Sequence, residues 1–298
     1  MLIDEIVVYC NKEYKSANTE NLCENCTHPT ECSGNCKSCL EQVHYPYKNS
    51  NGLRDYNCIN IIDFYACTYL YKYASEIYYL IKKCESLNEI EELHIMSIGC
   101  GASPDLMAFE KYCEEKETPQ SIAYVGFDKN ELWSPIHKKI KKYAENKDNM
   151  RVRFKDEEIF DYLGRKPVPR VNVLIMQYVI SHFYNTEQIG QIEIFFDELV
   201  DNIVKHKETD NPLVIIINDV NSCYRGRNYF EEFVQKLEEE GVNCTSQGYY
   251  FDYCITNVNQ RYGKKHEKKD ICFTMQGGLE EYEPWEKCSG AQMLIEVR

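Results

Sequence analysis

The sequence predicts an α/β protein in which a parallel sheet is covered by helices on both faces. Three observations carry this. Short apolar runs alternate with helix-length segments from Leu93 to the end. The run HIMSIGCGASPDL, His94 to Leu106, passes from an apolar strand through a glycine turn into an amphipathic helix. A second apolar strand, SIAYVGF, then ends directly at Asp128. Strands that alternate with helices pair in parallel, because each crossover helix returns the chain to the same end of the sheet.

The elements follow in order. Leu93, Ile95, Met96 and Ile98 form the first strand. Gly99 and Gly101 lack a Cβ, so the chain turns sharply there and a ligand can approach the backbone. Ser103 or Asp105 caps a helix that carries Leu106, Met107, Phe109 and Tyr112. A third strand, RVRFK, ends in Asp156-Glu157-Glu158. A fourth lies in VNVLIMQYVISHF, and a fifth, PLVIIINDV, ends at Asn218-Asp219. Helices are expected over Trp133 to Glu145, Glu187 to Lys207 and Asn228 to Glu240. One long helix is expected over Asp55 to Glu89, with a stripe so broad that most of it must be covered. Asn51-Gly52 marks a boundary, dividing the chain into residues 1–50 and 51–298.

From Leu93 onward this order resembles the class I S-adenosylmethionine (SAM)-dependent methyltransferases. The resemblance implies a seven-stranded, doubly wound, Rossmann-like sheet, with QMLIEVR as an inserted antiparallel strand paired near GYYFDYCI or ICFTM. It implies that Gly99, Cys100 and Gly101 lie under the methionine part of SAM and that Asp128 holds the ribose. Asp156, or else Glu157, approaches the adenine amino group, and Gln177 and Tyr178 end the fourth strand beside the methyl. Two departures stand out. The acidic residue usual two places before the first glycine is Ser97, and the fourth strand reads MQYVISHF instead of an Asn-Pro-Pro-aromatic signature. Methyl transfer needs in-line alignment and, for a weak nucleophile, a base. Tyr178 and His182 are the catalytic candidates, with Ser181 and Tyr184 nearby. Cys223, Arg225 and Arg227 follow the fifth strand, but Ser222-Cys223 does not match the cysteine motifs of pyrimidine-C5 enzymes.

NLCENCTHPTECSGNCKSCLEQVHYP places Cys23-x-x-Cys26 and Cys36-x-x-Cys39 nine residues apart. Two such knuckles make a closed tetrahedral zinc site of four thiolates, and metal would supply the folding energy of so polar a segment. Cys32, His28 and His44 are spare donors. Cys32 also spells C-x3-C-x2-C, which resembles the iron–sulfur loop of radical SAM enzymes. Ser38 replaces the aromatic residue usual there, so zinc is expected ahead of an iron–sulfur cluster.

No apolar run reaches membrane-spanning length, and MLIDEIVVYC has acids where a secretion signal needs positive charge, so a cytoplasmic location is expected. Sixteen cysteines then read as metal ligands or buried thiols rather than disulfides. A formal charge of −14 argues against a broad nucleic-acid footprint. Two local basic runs, KKIKK at 138–142 and KKHEKK at 264–269, leave room for an RNA acceptor, which is favoured slightly over protein or a small molecule. The functional expectation is a SAM-dependent methyltransferase with an N-terminal zinc module. A non-catalytic SAM-binding sensor is the alternative, and a radical enzyme the third.

Overall fold

A computed structural model describes residues 1–19, 35–45, 55–117, 120–165, 170–208, 211–252 and 261–298. Five parallel strands form one side of the sheet: β1 (Glu92–Ile98), β2 (Ser121–Phe127), β3 (Met150–Lys155), β4 (Val173–Gln177) and β5 (Leu213–Asp219). β6 (Cys244–Tyr250), the two-residue β7 (Lys264–Lys265) and β8 (Ala291–Val297) complete it. The order is β3-β2-β1-β4-β5-β8-β6-β7. Among the described residues the sheet therefore has eight strands, not the expected seven, because KKHEKK contributes a short edge strand beside β6. β8 runs antiparallel between β5 and β6, so QMLIEVR pairs with the CTSQGYY segment, while ICFTM forms no strand.

Alternation along each strand sends side chains to two apolar layers. Leu93, Ile95, Val173, Ile175, Val214 and Ile216 face one layer. That layer is covered by α1 (Leu2–Thr19), α2 (Cys36–His44), α3 (Ile59–Ile81), α4 (Pro104–Glu114) and α5 (Ser134–Ala144). Met96, Ile98, Leu174, Met176, Ile215 and Ile217 face the other. There they meet α6 (Ile159–Leu163), α7 (Val179–Asn185), α8 (Ile192–Asn202) and α9 (Asn228–Glu239). The sheet is thus doubly wound, as read from the sequence.

Four of the helices were not anticipated: α1, α2 and the short α6 and α7. In α1 the residues Leu2, Ile3, Ile6, Val7, Cys10 and Tyr14 are buried at helical spacing. This helix, although within the first fifty residues, packs on α3, α4 and α5, and the Leu2 amide donates to Glu110 Oε2 at 2.8 Å. α2 begins at an Asn35 cap whose side chain accepts from the Ser38 amide. The expected helix from Asp55 to Glu89 is shorter, Ile59–Ile81, followed by a 3-10 turn at Ser86–Asn88. The apolar run after the fourth strand also divides. β4 stops at Gln177, Tyr178 turns in the left-handed region (φ 58°), and α7 starts at Val179.

Candidate functional site

β1 lies between β2 and β4, and the chain crosses over to opposite sides from there. Such a switch point leaves a crevice beyond the carboxyl ends of the strands, where α/β sheets bind ligands. Gly99 (φ 62°) and Gly101 (φ 47°) build the turn at its base. Cys100 closes it, its amide donating to the Phe127 carbonyl at 3.0 Å. A side chain at Gly99 would meet Val179 at 3.1 Å, and one at Gly101 would meet Trp133 at 3.5 Å. Positive φ therefore requires glycine at both positions, and at Gly99 close packing against Val179 adds to it.

Asp128 follows β2 without a gap. Its Oδ2 accepts from the Gly101 amide at 2.9 Å and its Oδ1 from the Asn130 amide at 3.0 Å. The carboxylate is thereby aimed across from β2 to the turn after β1. Each oxygen keeps a second lone pair, which suits the two hydroxyls of a ribose. Burial raises its pKa from 3.8 to about 6, so it is ionised at neutral pH. Asp156 stands one strand over at the same level, since Phe127 pairs with Lys155. It is exposed, whereas Glu157 is engaged by Lys155 and Arg165. Gln177, at the tip of β4, donates to the Tyr73 carbonyl at 2.9 Å. Its Oε1 is buried with no hydrogen-bond partner in the structure. A buried acceptor without a donor is costly, and a ligand ammonium would satisfy it.

The two catalytic candidates have different surroundings. The Tyr178 hydroxyl is in a buried network, accepting from Lys72 Nζ at 2.8 Å and donating to Glu76 Oε2 at 2.8 Å. Glu76 is fully buried and also accepts from Asn218 and from the amides of Ser289 and Gly290. His182 has its pKa lowered by burial, with Asp55, Lys129 and Glu158 around it. Those three residues come from before α3, after β2 and after β3, so His182 lies on the side of the crevice where the loops after β2 and β3 meet it. Ser181 is buried, its amide donating to Asp219. Tyr184 is exposed under Arg225, and the Cys223 thiol accepts from Arg227 at 2.7 Å.

Several residues at this crevice escaped the sequence reading. Behind Ser97, buried Asp105 of α4 hydrogen-bonds the Ser97 side chain and accepts from the Tyr124 hydroxyl, with a pKa raised to about 6 by burial. His137 of α5 bonds the Gly101 carbonyl at 2.8 Å and stacks on Phe154 at 3.8 Å. Burial lowers its pKa to about 4, leaving it neutral. Tyr56 bonds His44 at 2.8 Å, and its carbonyl receives Asn130 Nδ2 at 2.6 Å. Tyr56 thus ties α2 to the loop that holds Asp128.

Of the four expected zinc ligands, Cys36 and Cys39 lie on one face of α2 and are buried. Cys23 and Cys26, with Cys32 and His28, lie outside the described residues. Among the described residues no three metal-ligating side chains converge. No described helix is long and apolar enough to cross a membrane.

No protein-family model and no curated protein matches the chain. Among solved structures it is similar to a SAM-dependent methyltransferase from Archaeoglobus fulgidus at 12% identity (76% of this chain, 94% of that one, TM-score 0.39). It is also similar to the plantazolicin methyltransferase BpumL in complex with SAH at 12% identity (97% of this chain, 99% of that one, TM-score 0.41). A human methyltransferase 10 domain containing protein is similar at 11% identity (75% of this chain, 81% of that one, TM-score 0.40). Likeness at this level assigns this chain no activity.

Proposed function

We propose that this chain is a SAM-dependent methyltransferase. The observation that carries the reading is the Asp128 carboxylate, ionised, oriented by two amides and left with open lone pairs at the switch point of the sheet. In this reading Asp128 holds the ribose hydroxyls and Asp156 the adenine amino group. Gly99, Cys100 and Gly101 lie along the methionine part, whose ammonium satisfies Gln177 Oε1. Bound SAM supplies an electrophilic methyl group. His182, neutral at pH 7, can accept a proton from an acceptor, and Tyr178 shapes the floor beside the methyl. Calorimetry with SAH is the test. The wild type should bind it, and Asp128→Ala should weaken binding at least tenfold while the protein stays folded. Equal affinity in both would refute the ribose assignment.

The committed Tyr178 hydroxyl favours a second reading, a SAM-binding sensor without transfer. Absence of methyl transfer to every fraction of a cell extract, with SAH binding intact, would select it. The zinc reading for Cys23, Cys26, Cys36 and Cys39 rests on their spacing, and Cys36→Ser should lower zinc content; full occupancy would remove Cys36 as a ligand, and iron in its place would favour the cluster. An RNA acceptor would be gripped by the lysines of 138–142 and 264–269. Lys265 and Lys269 are engaged by Asp252. Filter binding at low salt tests that acceptor.

A further inference from the structure

β3 closes one end of the sheet, so only one of its sides is paired. The Ile122 amide donates to the Asn149 carbonyl at 2.8 Å and the Asp128 amide to the Lys155 carbonyl at 3.1 Å. That register turns the main-chain groups of Arg151, Arg153 and Lys155 towards β2, and those of Val152 and Phe154 away from the sheet. Among the described residues nothing bonds those outward groups. They form an open template for another strand.

Side chains alternate along the same edge. Val152 and Phe154 are half-buried on the α5 side, where Phe154 stacks on His137 and Lys141 lies 5.7 Å from its ring. Arg151, Arg153 and Lys155 are exposed on the opposite side. Residues 134–155 carry eight lysines and arginines against two acids, in a chain whose net charge is −14. Arg151 is paired with Glu92, and Lys155 with Glu157 at 3.8 Å. Among the described residues no acid pairs with Arg153, Lys138, Lys141 or Lys142. A second copy of this strand would set basic side chains opposite one another, which disfavours self-pairing. A strand with acids at alternate positions meets the opposite charge instead, and its intervening apolar side chains cover Val152 and Phe154. A nucleic-acid backbone would use the cations, but neither the outward amides nor the apolar side.

We propose that β3 is a docking edge for an acidic, extended segment of a partner protein, taken up as an added strand. Main-chain bonds to Val152 and Phe154 supply the affinity. Alternate acids facing Arg151, Arg153 and Lys155 supply the specificity. Docking of this kind is independent of whether the crevice binds SAM.

The probe is the fluorescein-labelled peptide Thr-Glu-Val-Glu-Val-Glu-Thr, read by anisotropy at low salt. It should bind with a Kd below about 1 mM, and about tenfold tighter than a peptide of the same composition with its glutamates in one block. Arg153→Glu should weaken it about tenfold. Val152→Pro should weaken it about fivefold, because the lost amide points outward and the ladder to β2 keeps its bonds. Circular dichroism checks that both variants fold. Should Val152→Pro not fold, backbone N-methylation of the peptide takes its place. An antiparallel strand bonds β3 through its valine amides and a parallel one through its glutamate amides, so methylating one of the two sets should abolish binding. Equal binding of the alternating and blocked peptides, an unchanged affinity in Arg153→Glu or in folded Val152→Pro, indifference to both methylated sets, or no binding up to about 1 mM would each overturn the docking edge. An oligouridine that binds more tightly than the peptide, and loses that affinity in Arg153→Glu, would assign the edge to nucleic acid and overturn it too.

Discussion

Asp128→Asn should make the ligand-free protein more stable at neutral pH and less stable in acid. The folded carboxyl has a pKa of about 6 against 3.8 ordinarily, because burial disfavours its charge. A raised acid contributes stability below pH 4, and that contribution is lost as pH rises through 6. A shift of about two units corresponds to ~3 kcal/mol at most, at 1.36 kcal/mol per unit. Asp128 keeps some solvent access, which reduces the realised cost to ~2 kcal/mol. Asparagine never ionises, so it escapes this cost. It retains one carbonyl for the Gly101 or Asn130 amide and leaves the other without its partner, a loss of ~1 kcal/mol. The net expectation is a gain of ~1 kcal/mol at pH 7.5 and a loss of ~1 kcal/mol near pH 4. Urea unfolding of both proteins at the two pH values measures it. SAH added at pH 7.5 should raise the midpoint of the wild type and leave the variant unmoved. Stability curves that do not cross between the two pH values would refute the claim that this carboxylate is held ionised at a folding cost.

Glu76→Gln should destabilise by ~3 kcal/mol in urea, since the Lys72 ammonium would remain buried without its countercharge; a loss below ~1 kcal/mol would contradict that account. Gly126→Ala places a Cβ 2.7 Å from Cys100 Sγ and 2.9 Å from the Tyr124 ring. Overpacking there should cost ~1–3 kcal/mol, and Cys100→Ala in the same chain should recover part of it; an additive double variant would refute the clash. Tyr178→Phe removes the hydroxyl that links Lys72 to Glu76 and should cost ~1–2 kcal/mol in thermal unfolding. An unchanged melting temperature would show that the network does not need it.

The crevice was legible where local chemistry builds it. Apolar runs ending in Gly99 and Asp128 identify the strand tips, because a central parallel strand must be apolar on both faces. α1 was legible but unread, its stripe from Leu2 to Tyr14 having the helical period. Lys72 and Glu76 were not legible. At i and i+4 on a tyrosine-rich helix they look like a solvated pair, and only Tyr178, Asn218 and the 289–290 amides, all distant in sequence, enclose them. Asp105 likewise reads as a helix cap until Tyr124 and Ser97 reach it.

The placement of β8 constrains how the chain assembles. β6 and β7 reach the rest of the sheet only through it, although it follows both in the chain. Until β8 emerges from the ribosome, the apolar flank of β5 is a bare edge, open to pairing with other nascent chains. The amides at 289–290 that complete the Glu76 cluster arrive at the same late moment. The half of the sheet around β5 must therefore wait for this strand, and chains truncated before residue 291 should aggregate rather than fold.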